Sequence, residues 1–320
     1  MKDMLKDKIA GALYGVAIGD ALGAPLEFMS AEQIAQQYGR VTEMIGGGWL
    51  NVQPGETTDD TAMTLAVAEG IMESPDNPIP AIGERFIRWA ESGPKDIGGT
   101  CRCAIWKAAT GGHKRPSAFQ WENAGKETAI INKGRSAGNG ALMRAIYPAL
   151  YYPSALTAAH VTIGQGRMTH DDAESTEACQ LYADVVHYLI TEAKNGRDDS
   201  DAHICRWIDA HLIPTRYNLD AIDRKSRTGK LNPTGYVVDS LKCALCAWWD
   251  SADTFEEAIT NAANMGGDAD TIAAICGGLA GAYYGFEAIP ERWVDALSEA
   301  DRKRLDAAVD AAVMNRRSKE

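Results

Sequence analysis

The sequence is short of positive charge. Its 320 residues include 32 lysines and arginines against 44 aspartates and glutamates, which gives a formal net charge of −12. Non-specific binding to nucleic acid requires a basic surface. We therefore do not expect nucleic acid among the partners of this protein.

Cysteine is scarce and irregularly placed. The seven cysteines are odd in number and scattered, which argues against a disulfide-rich domain and favours a reducing, cytoplasmic location. Two pairs, Cys101 with Cys103 and Cys243 with Cys246, are spaced closely enough to suggest zinc. A structural zinc site needs four matched ligands, so we do not expect one here.

Long apolar runs are lacking too. Residues 1–23 contain lysines followed by an apolar stretch, but Asp3, Asp7 and Asp20 make them a poor match to a signal peptide. No run of about twenty apolar residues follows, so we expect no membrane span. The composition thus favours a cytoplasmic protein.

Alternating strand patterns are scarce, whereas apolar residues recur with helical spacing along most of the chain. The sequence predicts an all-α fold of about a dozen helices in a single domain, residues 1–320, with the polar stretch 195–230 as a peripheral insertion. The clearest predicted helices are Leu5–Ile18, Thr61–Met72, Ile79–Trp89, Ala178–Ile190, Val237–Trp249, Thr254–Ala263, Thr271–Tyr284 and Ala300–Val313.

Two glycine repeats lie inside predicted helices. Each glycine there costs about 1 kcal/mol relative to alanine, so a regular stripe indicates a compensating close approach of two helices. We expect the two helices to pack centrally and to bring Glu27, Asp268 and Asp270 to a common mouth. The repeats are Gly11, Gly15, Gly19 and Gly23, and Gly277, Gly281 and Gly285.

Two acidic motifs, Thr57–Thr61 and Gly266–Thr271, each lead into an apolar helical segment. A single Asp or Thr at such a place is an ordinary helix N-cap. The surplus carboxylates, however, repel one another unless a cation lies between them. Carboxylate and hydroxyl oxygens are ligands of hard divalent cations, and two motifs supply enough for a two-ion site. The sequence predicts a metal-dependent enzyme.

Three further polar stretches could contribute to function, and two of them also have a purely structural interpretation. Asp96, in a glycine-rich loop, is either a functional carboxylate or the cap of the helix after Thr100. The loop Ser136–Gly140 could expose backbone N–H groups to a phosphate, although it lacks the P-loop ending. His170 could bind a ligand or a metal, and the acids after it, Asp171 and Asp172, could simply begin a helix.

In this order, the motifs resemble the ADP-ribosylglycohydrolase family, and within it the bacterial dinitrogenase-reductase-activating type. The resemblance implies an all-α orthogonal bundle with two Mg²⁺ or Mn²⁺ ions in a cleft. It also implies hydrolysis of the glycosidic bond at the ribose anomeric carbon of an ADP-ribosylated protein, with ADP-ribose as product. The matching stretches are Gly11–Glu27, Gly55–Thr61, Asp96–Thr100, Ser136–Arg144, Thr169–His170 and Gly266–Ile272.

The resemblance also assigns roles to residues. Glu27 matches an acid implicated in catalysis or water positioning, and Asp96 matches a loop acid close to the scissile ribose. The implied metal ligands are Thr58, Asp59, Asp60, Asp268, Asp270 and Thr271. The residues that fall where the family contacts ADP-ribose are Gly98, Gly99, Ser136, Gly138, Asn139, Gly140 and His170.

The acceptor is less closely defined than the reaction. Asp171, Asp172 and the stretch 195–230 depart from the family pattern, and an acidic rim would suit ADP-ribosyl-arginine better than ADP-ribosyl-serine. Serine, nucleic-acid and small-molecule acceptors remain alternatives, as does a non-catalytic protein that binds ADP-ribose. An HD-type phosphohydrolase centred on His170 and Asp171 would leave both acidic motifs unexplained.

Overall fold

The computed structural model describes residues 3–191, 210, 231–250 and 254–319. Over these residues the chain forms fourteen α-helices, three 3₁₀ turns and isolated β-bridges, but no strand. The helices are α1 Met4–Gly23, α2 Ala31–Tyr38, α3 Asp59–Glu73, α4 Ile79–Glu91, α5 Gly99–Ala109, α6 Ala118–Ile131, α7 Tyr147–Tyr151, α8 Ala155–Arg167, α9 Ala173–Thr191, α10 Val237–Asp250, α11 Phe255–Ala263, α12 Ala269–Tyr284, α13 Glu291–Ala296 and α14 Glu299–Arg317.

The predicted all-α fold is confirmed, and each of the eight clearest apolar segments lies in a helix, although the segment from Thr254 begins with the residue that caps α11. Periodicity did not mark α2 and α6, whose starts instead carry capping boxes built on Ser30 and Ser117. Apart from residue 210, the predicted insertion 195–230 lies outside the described residues. The single domain stays a prediction.

Helices α1 and α12 form a central antiparallel pair with their backbones in contact. A Cβ atom at Gly15 would lie 2.6 Å from the carbonyl carbon of Gly277, and one at Gly277 would lie 2.5 Å from that of Gly15. The carbonyl oxygens are closer still, so no side chain fits at either position. The predicted central pairing of the two glycine-rich helices is therefore confirmed.

The other helices enclose this pair. Helices α9, α10 and α11 pack against α12, while α3 and α14 pack against α1. The segment Met4–Leu26 is long and apolar enough to cross a membrane, but the stretch that meets this test is completely buried inside the structure. Burial of this kind is what a core helix shows.

Antiparallel packing places the C-terminal end of α1 beside the N-terminal end of α12. The Phe28 amide donates to the Gly267 carbonyl at 2.6 Å, and the Gly267 amide donates to Met29 at 2.7 Å. Gly267 has a φ of 64°, and a Cβ there would lie 2.9 Å from the carbonyl carbon of Pro233. Only glycine meets both requirements, so this turn fixes Glu27 and Asp268 on facing segments.

We predict that Gly15→Ala destabilises the protein, because the added methyl group forces α1 and α12 apart. Overpacking of this kind costs about 1–3 kcal/mol or more. Gly166→Ala is the matched control: Gly166 is also helical, but its Cβ would make only ordinary van der Waals contacts, with Cys179 Sγ at 3.7 Å and Ala141 Cβ at 3.8 Å. Thermal unfolding should show a large fall in Tm for Gly15→Ala alone. Equal Tm values for both variants would contradict the packing argument.

Candidate active site

The two acidic motifs meet at the open end of the central pair. Thr58 precedes α3, and Asp268 precedes α12. The Thr271 hydroxyl lies 3.3 Å from Asp60 Oδ2, although the two residues are 211 positions apart in the sequence. The fold therefore brings together the oxygen-bearing side chains of both motifs.

Neither motif is an ordinary helix cap. Thr58 and Asp268 occupy the N-cap positions of α3 and α12, yet neither side chain bonds to the backbone of its helix. The Thr58 hydroxyl donates to Asp20 at 2.8 Å, and Asp268 accepts from Asn139 at 2.7 Å. Both side chains are turned toward other acids or amides, so capping does not explain them.

The carboxylates form two adjacent groups that share Asp270. One group contains Asp20, Asp60 and Asp270, all buried, and the other contains Glu27, Asp268 and Asp270. In each group one oxygen from every residue lies within 4.8 Å of the others. Such spacing allows one cation to contact three carboxylates.

Burial and mutual repulsion make these groups unfavourable as bare anions. Burial, reinforced by the neighbouring carboxylates, raises the pKa values of Asp59, Asp60 and Asp270 well above the usual range. Asp60 Oδ1 is buried and has no hydrogen-bond partner among the described residues. A divalent cation would satisfy this oxygen and favour the ionised carboxylates, so the donor set fits a metal ion.

Asp20 is a site residue that the sequence reasoning missed. It is fully buried and accepts from the amide and the hydroxyl of both Thr58 and Thr61. Asp20 thus satisfies the first turn of α3 from outside that helix, which frees the Thr58 side chain from capping. An acid inside the apolar stretch of α1 was the available signal.

A cavity of about 350 Å³ opens beside the carboxylates. Its size is within the range of small-molecule sites. Twelve of the fifteen predicted site residues line it: Glu27, Asp59, Asp96, Gly98, Gly99, Gly138, Asn139, Gly140, His170, Asp268, Asp270 and Thr271.

The remaining three predicted site residues do not line the cavity. Thr58 and Asp60 lie behind the carboxylates, in contact with Asp20 and with Thr271 respectively. Ser136 is buried and lies 3.3 Å from the Asn132 side-chain amide, so the structure keeps its side chain away from the cavity wall.

An aromatic pair at the cavity mouth was not anticipated. Phe28 and Trp49 both line the cavity, with ring centroids 5.4 Å apart and more than half of each residue exposed. The Trp49 indole N–H donates to Glu27. Burial nevertheless raises the pKa of Glu27 to about 7, with a further contribution from Asp268. The hydrogen bond from the Trp49 indole holds the Glu27 carboxyl group in place.

Three helices begin at the cavity, and their N-termini carry partial positive charge. They are α3, α5 and α12. Asp96 does not cap α5, because Gly98 occupies the N-cap position and Asp96 Oδ1 accepts from the Ile97 amide at 2.7 Å. A Cβ atom at Gly98 or Gly99 would meet nothing within 4 Å, so this turn is open to a ligand.

The loop Ser136–Gly140 is fixed to the start of α10. The Asn139 amide donates to the Gly235 carbonyl at 3.0 Å, and the Val237 amide donates to Ala137 at 2.9 Å. The Asn139 side-chain amide lies 2.7 Å from Asp268 and 2.9 Å from Ser240, so Asn139 orients a carboxylate as well as lining the cavity.

The two acids after His170 do not reach the cavity. Asp172 Oδ1 accepts from the Glu174 amide at 2.8 Å and so begins α9, while Asp171 lies 3.7 Å from Arg167. Neither acid is therefore part of the cavity lining, and their expected contribution to an acidic rim stays a prediction. His170 belongs to neither carboxylate group, which argues against the HD-type alternative.

Comparisons with known proteins agree with this geometry. The family model for ADP-ribosylglycohydrolase matches residues 1–320. The chain is 35% identical over 310 residues to ADP-ribosyl-[dinitrogen reductase] glycohydrolase of Rhodospirillum rubrum, covering 95% of each chain. It is 33% identical over 301 residues to ADP-ribosylarginine hydrolase Tri1 of Serratia proteamaculans (strain 568), covering 92% of this chain and 76% of the relative.

A solved structure described as an ADP-ribosylglycohydrolase-related protein complex matches with a TM-score of 0.77 at 29% identity. The match covers 98% of this chain and 100% of that chain. The family model, the sequence match to the Rhodospirillum rubrum relative and the structural match thus all indicate an ADP-ribosylglycohydrolase over nearly the whole length of the chain. The chain belongs to the ADP-ribosylglycohydrolase family, enzymes that hydrolyse the glycosidic bonds of ADP-ribose.

Proposed function

We propose that this protein is a metal-dependent hydrolase that removes ADP-ribose from modified arginine side chains of proteins. The observation that carries the proposal is the pair of carboxylate groups sharing Asp270 beside the cavity. Glu27 and Asp96, which are not among the proposed metal ligands, place carboxyl groups on the cavity wall, which suits a cationic guanidinium acceptor. The relative from Serratia proteamaculans is named as an ADP-ribosylarginine hydrolase, which supports the same acceptor.

The acidic motifs would hold two divalent cations, Mg²⁺ or Mn²⁺, since both ions take oxygen ligands. When bound, such cations lower the pKa of water and stabilise developing negative charge. The residues that would hold them are Thr58, Asp59, Asp60, Asp268, Asp270 and Thr271.

In this proposal Glu27 takes part in proton transfer and Asp96 stabilises charge during hydrolysis. Water adds to the ribose anomeric carbon, the bond from that carbon to the guanidino nitrogen breaks, and the nitrogen takes up a proton. Glu27, held by Trp49, faces the cavity and would accept the proton of the attacking water. Asp96, oriented by the Ile97 amide, would stabilise the positive charge that develops on the sugar.

The diphosphate of ADP-ribose requires donors, and the cavity supplies them from the backbone. Gly98 and Gly99 lie at the N-terminus of α5, and the loop from Gly138 to Gly140 lies on the same cavity. Backbone amides at a helix N-terminus bind anionic oxygens without a basic side chain. An acidic protein can therefore bind an anionic substrate at this site.

We predict that the protein releases ADP-ribose from an arginine-ADP-ribosylated protein in the presence of Mg²⁺ or Mn²⁺. EDTA and Asp268→Ala should each abolish release, because both remove the cations that the acidic groups hold. Asp310→Ala is the matched control, since Asp310 is exposed and, among the described residues, forms a salt bridge only with Lys6 at the surface. Full activity of Asp268→Ala would refute the metal-dependent mechanism, and release only from another acceptor would refute the arginine assignment.

We predict that Glu27→Gln and Asp96→Asn each lower kcat by about 100-fold or more, because the first removes the proposed general base and the second removes the charge that stabilises the developing cation. Metal affinity, measured by calorimetry with Mn²⁺, should change little in either variant. Asp96 lies outside both carboxylate groups, so Asp96→Asn is the internal reference for metal binding. Loss of Mn²⁺ binding in Glu27→Gln alone would make Glu27 a ligand instead of a base.

A further inference from the structure

Arg144 is a buried cation without a carboxylate partner among the described residues. It is completely buried, and its guanidinium group stacks 4.7 Å from the centre of the Phe86 ring. Its donors reach the Gly140 carbonyl at 2.5 Å, both the side chain and the carbonyl of Gln165, and Thr169 Oγ1 at 2.8 Å. This set joins the glycine loop on one side of the cavity to the turn that carries His170.

The contact with Thr169 restricts how the Thr169 hydroxyl can bond to His170. A guanidinium group only donates, so Thr169 Oγ1 must accept from Arg144. Thr169 Oγ1 also lies 2.7 Å from His170 Nδ1. The hydroxyl proton can point to this nitrogen or to the nearby Cys101 thiol. An imidazole lone pair is a much stronger acceptor than sulfur, so Nδ1 accepts and the ring proton lies on Nε2.

His170 then presents an N–H group to the cavity. Burial, together with the Arg144 guanidinium, lowers the pKa of His170 to about 3, so the ring is neutral at ordinary pH. Nε2 has no hydrogen-bond partner among the described residues, although His170 lines the cavity. A Cβ atom at Gly138 would lie 3.3 Å from Nε2, and one at Gly140 would lie 3.0 Å from Cε1. The absence of side chains at both positions leaves the ring edge accessible.

The geometry points to Arg144 and Thr169 as positioning residues, which hold His170 in the Nε2–H tautomer so that it donates to an anionic oxygen of the substrate. The class of oxygen follows from the surroundings, since Cys101, in the first turn of α5, also lies against Gly140. A helix N-terminus favours an anionic acceptor, to which the neutral N–H of His170 can also donate; we infer that this acceptor is a phosphate oxygen of ADP-ribose. The inference rests on the proposed function only for the identity of this ligand.

Selective ¹⁵N labelling of the six histidines tests the tautomer directly. In the wild-type protein the ¹⁵N shifts of His170, assigned with His170→Gln, should show a protonated Nε2 and an unprotonated Nδ1. Addition of ADP-ribose should shift Nε2 more than Nδ1. A wild-type Nδ1–H tautomer, or no response of Nε2 to ADP-ribose, would overturn the proposal without any variant.

Substitution of Thr169 tests the hydrogen-bond relay, which runs from Arg144 through Thr169 to His170. Thr169→Val keeps the shape of the side chain but removes the hydroxyl, so the tautomers should mix and ADP-ribose affinity should fall about tenfold, the value of one hydrogen bond to a charged group. Thr169→Ser should restore both. Thr162→Val is the matched control, because Thr162 is equally buried and its hydroxyl has no partner among the described residues.

Binding and tautomer are measured without turnover, so the two proposals can fail separately. Suppose that the protein binds ADP-ribose through Nε2 of His170 but does not release ADP-ribose from arginine. This result would support the relay and refute the assignment of arginine as the acceptor. A protein that hydrolyses ADP-ribosyl-arginine with Thr169→Val unchanged in affinity and tautomer would refute the relay. A merely structural role for Thr169 would lower Tm without changing the ¹⁵N pattern.

Discussion

The backbone contact between α1 and α12 determines where the active site can form. Because Gly15 and Gly277 leave no room for side chains, the two helices have one antiparallel register, and their ends meet at one place. Glu27 follows the end of α1, and Asp268 precedes the start of α12. A different register would separate these carboxylates, so the glycine stripe positions the chemistry as well as stabilising the core.

The same arrangement makes a crowded anionic site tolerable. Helices α3, α5 and α12 direct the positive ends of their dipoles toward the cavity, where the carboxylates lie. Asp20 satisfies the first turn of α3 from within α1, and so leaves the Thr58 side chain free to face the acids. The helix N-termini and the buried Asp20 thereby orient the carboxylate and hydroxyl oxygens of the two acidic motifs.

The sequence predicts the periodic features of this protein well and the contacts between distant segments poorly. Apolar periodicity marks the eight strongest helices, and repeated glycines indicate the central pair, because both signals are local. The roles of Asp20 and Trp49 cannot be predicted from local patterns. Asp20 bonds to Thr58 and Trp49 bonds to Glu27, and only the folded chain brings these residues together. For Asp172 the local signal was sufficient, since the sequence already offered a helix start there and Asp172 begins α9.

The division of labour inside the cavity explains how an acidic protein can recognise an anionic substrate. In our proposal the phosphates are bound by donors that carry no net charge: backbone amides at the start of α5, the glycine loop and the Nε2–H of His170. Arg144, a cation close to His170, is buried and in our proposal acts through Thr169. Because no basic side chain among the residues lining the cavity is committed to the phosphates, the wall can remain acidic and attract a guanidinium acceptor. In this proposal, uncharged N–H donors on one side of the cavity recognise the phosphates, and carboxylates on the other side recognise the guanidinium group.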